Sequence, residues 1–213
     1  MTNKIANIRK EYLGKPLSKG NIHPDPFIQF NRWLEEALKA KVSEPTAMTL
    51  STASASGKIS GRIVLLKGVE ENGFVFYTNY QSNKGKQIEE NPSASLTFFW
   101  PELFRQVRIE GNIKKTSQQD SDQYFDSRPE ESKISALASE QSKIIPDREY
   151  LEKQFEKIKQ QYKNKKLLRP ENWGGYILYP DTMELWQGRP NRLHDRIQYI
   201  REGNQWQTQR LAP

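Results

Sequence analysis

The densest group of chemistry-bearing side chains is the run Trp186-Gln187-Gly188-Arg189-Pro190-Asn191-Arg192-Leu193-His194-Asp195-Arg196. Arg192, His194 and Arg196 alternate with Leu193, Asp195 and Ile197, so a strand here would set all three basic groups on one face. Clustered cations repel one another unless an anionic or electron-rich ligand faces them. The competing reading is an exposed hairpin face balanced by Asp195 and nearby acids. His194 adds a group that titrates near neutrality, a candidate for proton transfer.

Three further constellations suit phosphate. Tyr124 and Arg128 are four apart, hence on one helical face, with Pro129 ending that helix and Ser132 just beyond it. A planar fork of donors plus two hydroxyls is phosphate-binding chemistry, although a capped helix junction would use the same residues. Tyr77-Thr78-Asn79 reads as a strand end that delivers hydroxyls, and Ser82-Asn83-Lys84 as the start of a helix with Lys84 and Lys86 close by. Free N–H groups at a helix N-terminus beside a lysine fit an anion; a plain N-cap by Ser82 fits equally well. The run Arg62-Ile63-Val64-Leu65-Leu66-Lys67 reads as a core strand bracketed by cations. Residues five apart on a regular strand point to opposite faces, so either this strand is bulged or its two cations serve different anionic groups.

Composition limits the choices. Lys plus Arg number 33 and Asp plus Glu 26, a formal charge of +7, which favours anionic partners without choosing among phosphorylated metabolites, nucleic acid and membrane surface. Part of that charge, as in Lys157-Ile158-Lys159, Lys163 and Lys165-Lys166, reads as a solvated helix face. Cysteine is absent and His23 and His194 are the only histidines, which excludes disulfides, iron–sulfur clusters, thiolate zinc and multi-histidine metal sites. No metal is therefore expected. No apolar run approaches the roughly 20 residues of a membrane helix, and Met1-Thr2-Asn3-Lys4-Ile5 lacks an apolar signal core. The expectation is a soluble, cytoplasmic protein without a membrane partner. GxGxxG and P-loop motifs are absent.

These groups need a scaffold. A short helix is expected over Ile5–Leu13, followed by a loop arm punctuated by Gly14, Pro16, Gly20 and Pro24. Asp25-Pro26 opens a helix with Phe27, Phe30, Trp33, Leu34, Ala37 and Leu38 as its apolar stripe. Strands follow at 47–52 and 59–67 around Ser56-Gly57, then at 74–78 after the hairpin signal Asn72-Gly73. Ser82–Glu90 reads as a helix, and 94–100 and 105–114 as strands. Residues 117–163 turn helical, with Leu151, Phe155, Ile158 and Tyr162 as a stripe. Strands return at 173–179, 182–187, 193–201 and 206–211, the last pair joined at Gly203-Asn204. Hairpin-linked strands with helices gathered in blocks predict an α+β protein with a mainly antiparallel sheet or barrel and peripheral helices.

In order along the chain, Arg62 to Lys67, Phe76-Tyr77-Thr78-Asn79, Arg105-Gln106-Val107, Tyr124-Phe125 with Ser127-Arg128-Pro129, Gln141-Ser142, Trp173-Gly174-Gly175, Trp186-Gln187-Gly188, Arg192-Leu193-His194-Asp195-Arg196 and Arg210-Leu211-Ala212-Pro213 form one pattern. In these motifs the sequence resembles the pyridoxamine 5′-phosphate oxidase family, from about Asn7 to Pro213. The resemblance implies an FMN-binding split β-barrel that works as a homodimer with FMN at the subunit interface. The implied reaction is oxidation of pyridoxamine or pyridoxine 5′-phosphate by O2 to pyridoxal 5′-phosphate and H2O2. It implies a flexible N-terminal arm or lid over residues 1–25 and a single FMN-binding domain over 26–213.

Carried over position by position, FMN would be bound by Arg62, Ile63, Val64, Leu65, Leu66, Lys67, Tyr77, Thr78, Lys84, Gln106, Gln141, Ser142, Trp186 and Arg196. Substrate would be bound by Lys67, Tyr124, Arg128 and Ser132 at its phosphate, by Arg192, Leu193 and His194 at its ring, and by the lid residues Arg9, Lys10, Glu11 and Tyr12. Arg192 and His194 would be the catalytic pair. The family has arginine where this chain has Asn83, with Lys84 and Lys86 beside it. Three other readings remain at this point: a split-barrel flavoprotein for another substrate such as a phenazine precursor, a non-catalytic FMN or pyridoxal phosphate carrier, and a basic nucleic-acid-binding protein. No nucleic-acid motif supports the last, and no nucleic-acid partner is expected.

Overall fold

Asp25 caps α1 (Pro26–Lys39): its carboxylate accepts the N–H groups of Phe27 at 2.7 Å and Ile28 at 3.3 Å, with Pro26 in the first turn where it needs no partner. The computed structural model describes Ile5, Asn7, residues 11–70 and residues 72–213. Helices and strands follow the expected sequence of blocks: β1 (Ala47–Ala53), β2 (Ile59–Leu65), β3 (Gly68–Glu70), β4 (Gly73–Asn79), α2 (Asn83–Glu90), β5 (Ser93–Trp100) and β6 (Arg105–Lys115), then α3 (Gln118–Ser127), α4 (Glu130–Ala138), α5 (Arg148–Gln161), β7 (Trp173–Gln187), β8 (Asp195–Glu202) and β9 (Gln205–Leu211). The strands form one sheet in the order β2-β1-β5-β6-β7-β4-β3, and β8 bridges β7 and β9.

The chain divides into two compact units, one of residues 1–50, 95–111 and 180–213, the other of residues 51–94 and 112–179. In the first unit Phe30, Phe98 and Trp100 pack ring to ring at 5.1 to 6.2 Å, and Trp100 Nε1 donates to Pro45 O at 3.0 Å. Each such buried ring contributes about 1.5–3 kcal/mol by leaving water. In the second unit β4 pairs antiparallel with β7, Phe74 opposite Leu178 and Asn79 opposite Trp173, over a core that includes Phe76, Phe125, Ile134 and Leu178.

Several expectations change. The segments 173–179 and 182–187 belong to one strand, which pairs with β4 before Pro180 and with β8 after it. Proline lacks a ladder donor, so the change of partner falls where a donor is missing. The strand expected from 193 begins at Asp195; Pro190–Arg192 form a 3-10 turn in which Asn191 (φ 55°) and Arg192 (φ 62°) are left-handed. Arg192, His194 and Arg196 therefore do not share a strand face. The apolar run of β2 is not core: Ile63 is 65 % exposed and Leu65 38 %, while Ser60, Arg62 and Val64 face the less exposed side. The helical stretch 117–163 is broken at 128–129 and 139–147, and Ser132 lies inside α4 rather than in a loop. Of the helix expected over 5–13, Ile5 is helical, Asn7 lies in a turn, Glu11 to Leu13 have no regular structure, and residues 6 and 8–10 lie outside the described residues.

Candidate functional site

The second unit holds a cleft of about 770 Å³. Four cations line it, Arg62, Lys67, Lys84 and Arg128, and among the described residues no carboxylate does. Each reaches it for a local reason. On β2 the alternation turns Arg62 inward, where Thr52 Oγ1 accepts from it at 2.7 Å and Gln87 Oε1 at 3.4 Å. After Leu65 the regular strand stops, Leu66 is buried, and the Lys67 N–H bonds Val75 O at 2.8 Å. That break resolves the five-residue spacing, because Arg62 and Lys67 both line the cleft together with Ile63, Val64 and Leu65.

Ser82 caps α2, accepting the Gly85 N–H at 3.3 Å. Lys84, in the first turn, turns its ammonium inward to Thr78 Oγ1 and Gln141 Oε1, both at 3.1 Å, and to Ser82 Oγ at 3.4 Å. These partners are neutral. Burial first, then Arg62, pulls the Lys84 pKa down to about 8. Ser142, left-handed at φ 73°, accepts the Asn83 N–H at 3.3 Å and does not line the cleft.

The other end of the cleft is built by α3, α4 and the start of β7. Tyr77 and Tyr124 stack at 3.8 Å and 12°, and Trp173 lies nearly parallel to both. Burial, more than the neighbouring acids, pushes the Tyr77 hydroxyl up to about 12, so it stays a protonated donor. Arg128 closes α3, and the next helix starts with Ser132 in its first turn, where backbone N–H groups lack intrahelical partners. Arg128 Nη1 is buried without a hydrogen-bond acceptor, and desolvation lowers the pKa of this guanidinium. A buried orphan donor of this kind costs about 1–3 kcal/mol unless a ligand accepts from it.

Of the remaining expected residues, Glu11, Tyr12, Gln106, Trp186, Arg192, Leu193, His194 and Arg196 belong to the first unit and do not line this cleft. Arg196 is clamped by buried Glu184, Nε to Oε1 at 2.8 Å and Nη2 to Oε2 at 2.9 Å, and donates to Ala212 O at 2.8 Å. Arg108 reaches the same carboxylate at 3.0 Å. His194 Nδ1 accepts the Arg189 N–H at 3.1 Å, which places the proton of the neutral ring on Nε2. Desolvation, then Arg192, lowers its pKa, so the ring is neutral at pH 7. Tyr12 packs edge-on against Phe104, Trp186 and His194 at 5.4 to 5.6 Å. Gly14 and Gly188 permit this docking: a Cβ on Gly188 would fall 2.8 Å from the Tyr12 ring. Glu11 is exposed; Arg9 and Lys10 lie outside the described residues. Gln106 is half-buried on β6, and Leu193 is 68 % exposed. Among residues not singled out beforehand, Trp173, Asn79, Pro129, Ser135 and Ser139 line the cleft. The motif Trp173-Gly174-Gly175 was the available signal for the first.

A mainly antiparallel sheet gathers four cations and several hydroxyls around one cleft, with a buried arginine donor to spare, a donor set whose chemistry matches a phosphoryl group. Residues 34–162 match the family described as "Pyridoxamine 5'-phosphate oxidase", and residues 173–213 match the "Pyridoxine 5'-phosphate oxidase C-terminal dimerisation region". A pyridoxine/pyridoxamine 5′-phosphate oxidase of Cyanothece sp. is 50 % identical over 213 residues, all of both chains. The crystal structure of PhzG from Burkholderia lata, in complex with tetrahydrophenazine-1-carboxylic acid, superposes with a TM-score of 0.88 at 32 % identity, covering 94 % of this chain and 99 % of that one. A pyridoxamine 5′-phosphate oxidase-related, FMN binding protein from Nostoc punctiforme shares the fold, with a TM-score of 0.70 at 17 % identity over 89 % of this chain and 98 % of its own. The chain belongs to the pyridoxamine 5′-phosphate oxidase family, whose split-barrel fold it adopts. Among the described residues no helix is long and apolar enough to cross a membrane, and no group of three or more metal-ligating side chains occurs.

Proposed function

We propose that this protein is an FMN-dependent oxidase that converts pyridoxine 5′-phosphate and O2, or pyridoxamine 5′-phosphate, water and O2, to pyridoxal 5′-phosphate and H2O2, the amine leaving as ammonia. The observation that carries this reading is the cleft with four cations, no carboxylate among the described residues and an orphaned Arg128 Nη1. The donor set fits two phosphoryl groups. Arg62, Lys84, Thr78 and Gln141 form one polar cluster suited to the cofactor phosphate, flanked by Ile63, Val64, Leu65, Lys67 and Tyr77, with Leu66 buried behind them. Lys67, Tyr124, Arg128 and Ser132 form the other, suited to the substrate phosphate.

When bound, FMN supplies a two-electron acceptor that O2 renews. The protein's own task is placement. Gripping the substrate phosphate away from the reacting carbon orients that carbon without touching it. Arg192 and His194, with Leu193, are assigned to the substrate ring, and Trp186, Gln106, Ser142 and Arg196 to the cofactor, on the strength of the family pattern. With Nδ1 engaged by Arg189, neutral His194 offers Nε2–H as a donor to the substrate's amine or hydroxyl. Tyr12, docked beside His194, fits a lid residue, and Arg9, Lys10 and Glu11 complete the assigned segment.

A homodimer with FMN at its interface fits the dimerisation-region match and the outward apolar side chains of β2, Ile59, Ile63 and Leu65. A chain without cysteine suits the cytoplasm. The test is oxygen uptake by FMN-loaded protein on adding pyridoxamine 5′-phosphate, beside a panel that includes a reduced phenazine carboxylate. Retained FMN without oxygen consumption would leave a carrier; turnover of the phenazine alone would move the chain to the PhzG-like chemistry.

A further inference from the structure

Arg128 is unusual in how it is held. Among the described residues its side chain has no hydrogen-bond acceptor: its backbone N–H bonds Phe125 O, and Nη1 is buried without a partner. What fixes the guanidinium is aromatic surface. Its central carbon lies 4.6 Å from the Trp173 ring centre and 5.7 Å from that of Phe125. A flat cation on a flat π face is held by the ring quadrupole through its plane, so its N–H donors, which lie in that plane, stay available.

Trp173 is itself anchored. It is 7 % exposed and meets Phe125 edge-on at 5.3 Å. Its carbonyl accepts from Arg169 Nη1 at 2.6 Å, while Arg169 Nε bonds Asp122 Oδ1 of α3 at 2.6 Å. The helix that ends in Arg128 is thereby tied to the strand that starts at Trp173. Gly174 keeps this approach open, since a Cβ there would fall 2.1 Å from the Tyr80 hydroxyl.

We propose that Trp173 is a positioning residue for phosphate recognition: its indole face holds the Arg128 guanidinium in place without consuming any of its donors, so that all of them remain for the ligand's phosphoryl group. Asp122 and Arg169 act behind it by fixing the indole. A carboxylate in place of Trp173 would also hold Arg128, but it would neutralise the charge and occupy the donors. The inference deepens the function proposed above and rests on its assignment of Arg128 to the substrate phosphate.

The test compares binding of pyridoxal 5′-phosphate and of pyridoxal, by calorimetry on FMN-loaded protein, for the wild type, Trp173→Phe, Trp173→Leu, Arg128→Ala and the double variant Arg128→Ala/Trp173→Leu. Trp173→Leu should weaken pyridoxal 5′-phosphate about tenfold, the size of a desolvated cation–π contact, and leave pyridoxal unchanged. Trp173→Phe keeps an aromatic face and should restore most of the affinity. In the Arg128→Ala background Trp173→Leu should add nothing. The platform role is overturned if Trp173→Leu weakens both ligands equally, if it weakens pyridoxal 5′-phosphate as much without Arg128 as with it, or if it has no effect while Arg128→Ala has a large one. Should Arg128→Ala itself leave pyridoxal 5′-phosphate affinity unchanged, the assignment of Arg128 to the phosphate fails, and the platform falls with it. Circular dichroism and melting curves identify any variant that fails to fold. If Trp173→Leu is one, Trp173→Phe decides: near-wild-type affinity supports the platform, and an equal loss for both ligands overturns it.

Discussion

Lys84 Nζ donates to Gln141 Oε1 at 3.1 Å, and the same oxygen accepts from Thr78 Oγ1 at 3.1 Å, so a buried ammonium is solvated by neutral groups alone. Its pKa of about 8 sets a direction for pH dependence. A lysine held below its ordinary value of 10.5 destabilises the fold in its charged form; that cost is full below about pH 8 and fades as the pH rises toward 10.5. A bound phosphate favours the charged form, so binding takes up a proton above about pH 8. FMN affinity, followed by quenching of flavin fluorescence, should therefore fall as the pH rises through about 8. Lys84→Met should bind weakly and lack that pH dependence. A wild-type profile flat on both sides of this pH would remove Lys84 from the phosphate.

Arg128→Ala is expected to raise KM for pyridoxine 5′-phosphate about 10- to 100-fold, as for the loss of charge-assisted hydrogen bonds. kcat should change far less. The ligand-free variant should melt close to wild type, because removing a buried donor that has no acceptor offsets the loss of its contact with the Trp173 ring. Steady-state kinetics with phosphorylated and unphosphorylated substrate decide the first point; an equal effect on both would contradict a phosphate role.

Glu184, 3 % exposed, serves Arg196 and Arg108 at once. Glu184→Gln takes the carboxylate from Arg196 and leaves Arg108 with Glu110 at 3.0 Å. A loss on the order of 2–4 kcal/mol in urea unfolding is expected, less than for a fully buried pair because both arginines keep some water. If Arg196 also contacts the cofactor, the FMN off-rate should rise in parallel. A variant as stable as wild type would show that the network is not structural.

Gly175 accepts no side chain: a Cβ would lie 2.4 Å from Thr116 Oγ1 and 2.8 Å from Tyr77 Cε1. Its N–H bonds Ser121 Oγ at 3.1 Å and its carbonyl takes the Thr116 N–H at 3.0 Å, so the backbone has little room to retreat. Gly175→Ala should cost about 1–3 kcal/mol by overpacking and push Tyr77 off its stack with Tyr124. The readout is a lowered melting temperature together with a raised KM. A variant with wild-type KM would show that Tyr77 need not be held there.

Arg192→Ala should lower kcat/KM for pyridoxine 5′-phosphate by about 10-fold or more if the guanidinium contacts the substrate ring. Arg192 is exposed in its left-handed turn, so its removal should leave the melting temperature unchanged. Unchanged kcat/KM would take the residue out of the site.

Local chemistry was well written in the sequence. Turn residues marked the hairpins: Gly57 (φ 81°), Asn72 (φ 60°) and Gly203 (φ 60°) all adopt the left-handed conformation that such positions favour. Asp25 caps the helix it was expected to cap, and Ser82 takes the N-cap role that the sequence leaves open beside an anion site. Tyr124, Arg128 and Ser132 line one cleft although a helix break separates them. What escaped depended on non-local facts. The basic alternation of Arg192, His194 and Arg196 mimicked a strand, and the Pro190-Asn191 turn that interrupts it left too short a signal to outweigh that period. The apolar residues of β2 looked like core because periodicity cannot tell a buried face from one that a second copy would cover. Trp173 stands in the sequence only as part of a family motif, since its meaning lies in what stacks on it from another helix.

The one-sided charge of the cleft has a practical consequence for anyone handling this protein. On the proposed function, multivalent oxyanions in a buffer are chemically the same as the groups the cleft holds, so phosphate or sulfate should occupy it, raise the melting point and compete with the ligands under study. Affinities measured in phosphate-buffered solution will come out systematically weak, and the discrepancy against a zwitterionic sulfonate buffer gauges how much of the recognition is for the phosphoryl group rather than the rings.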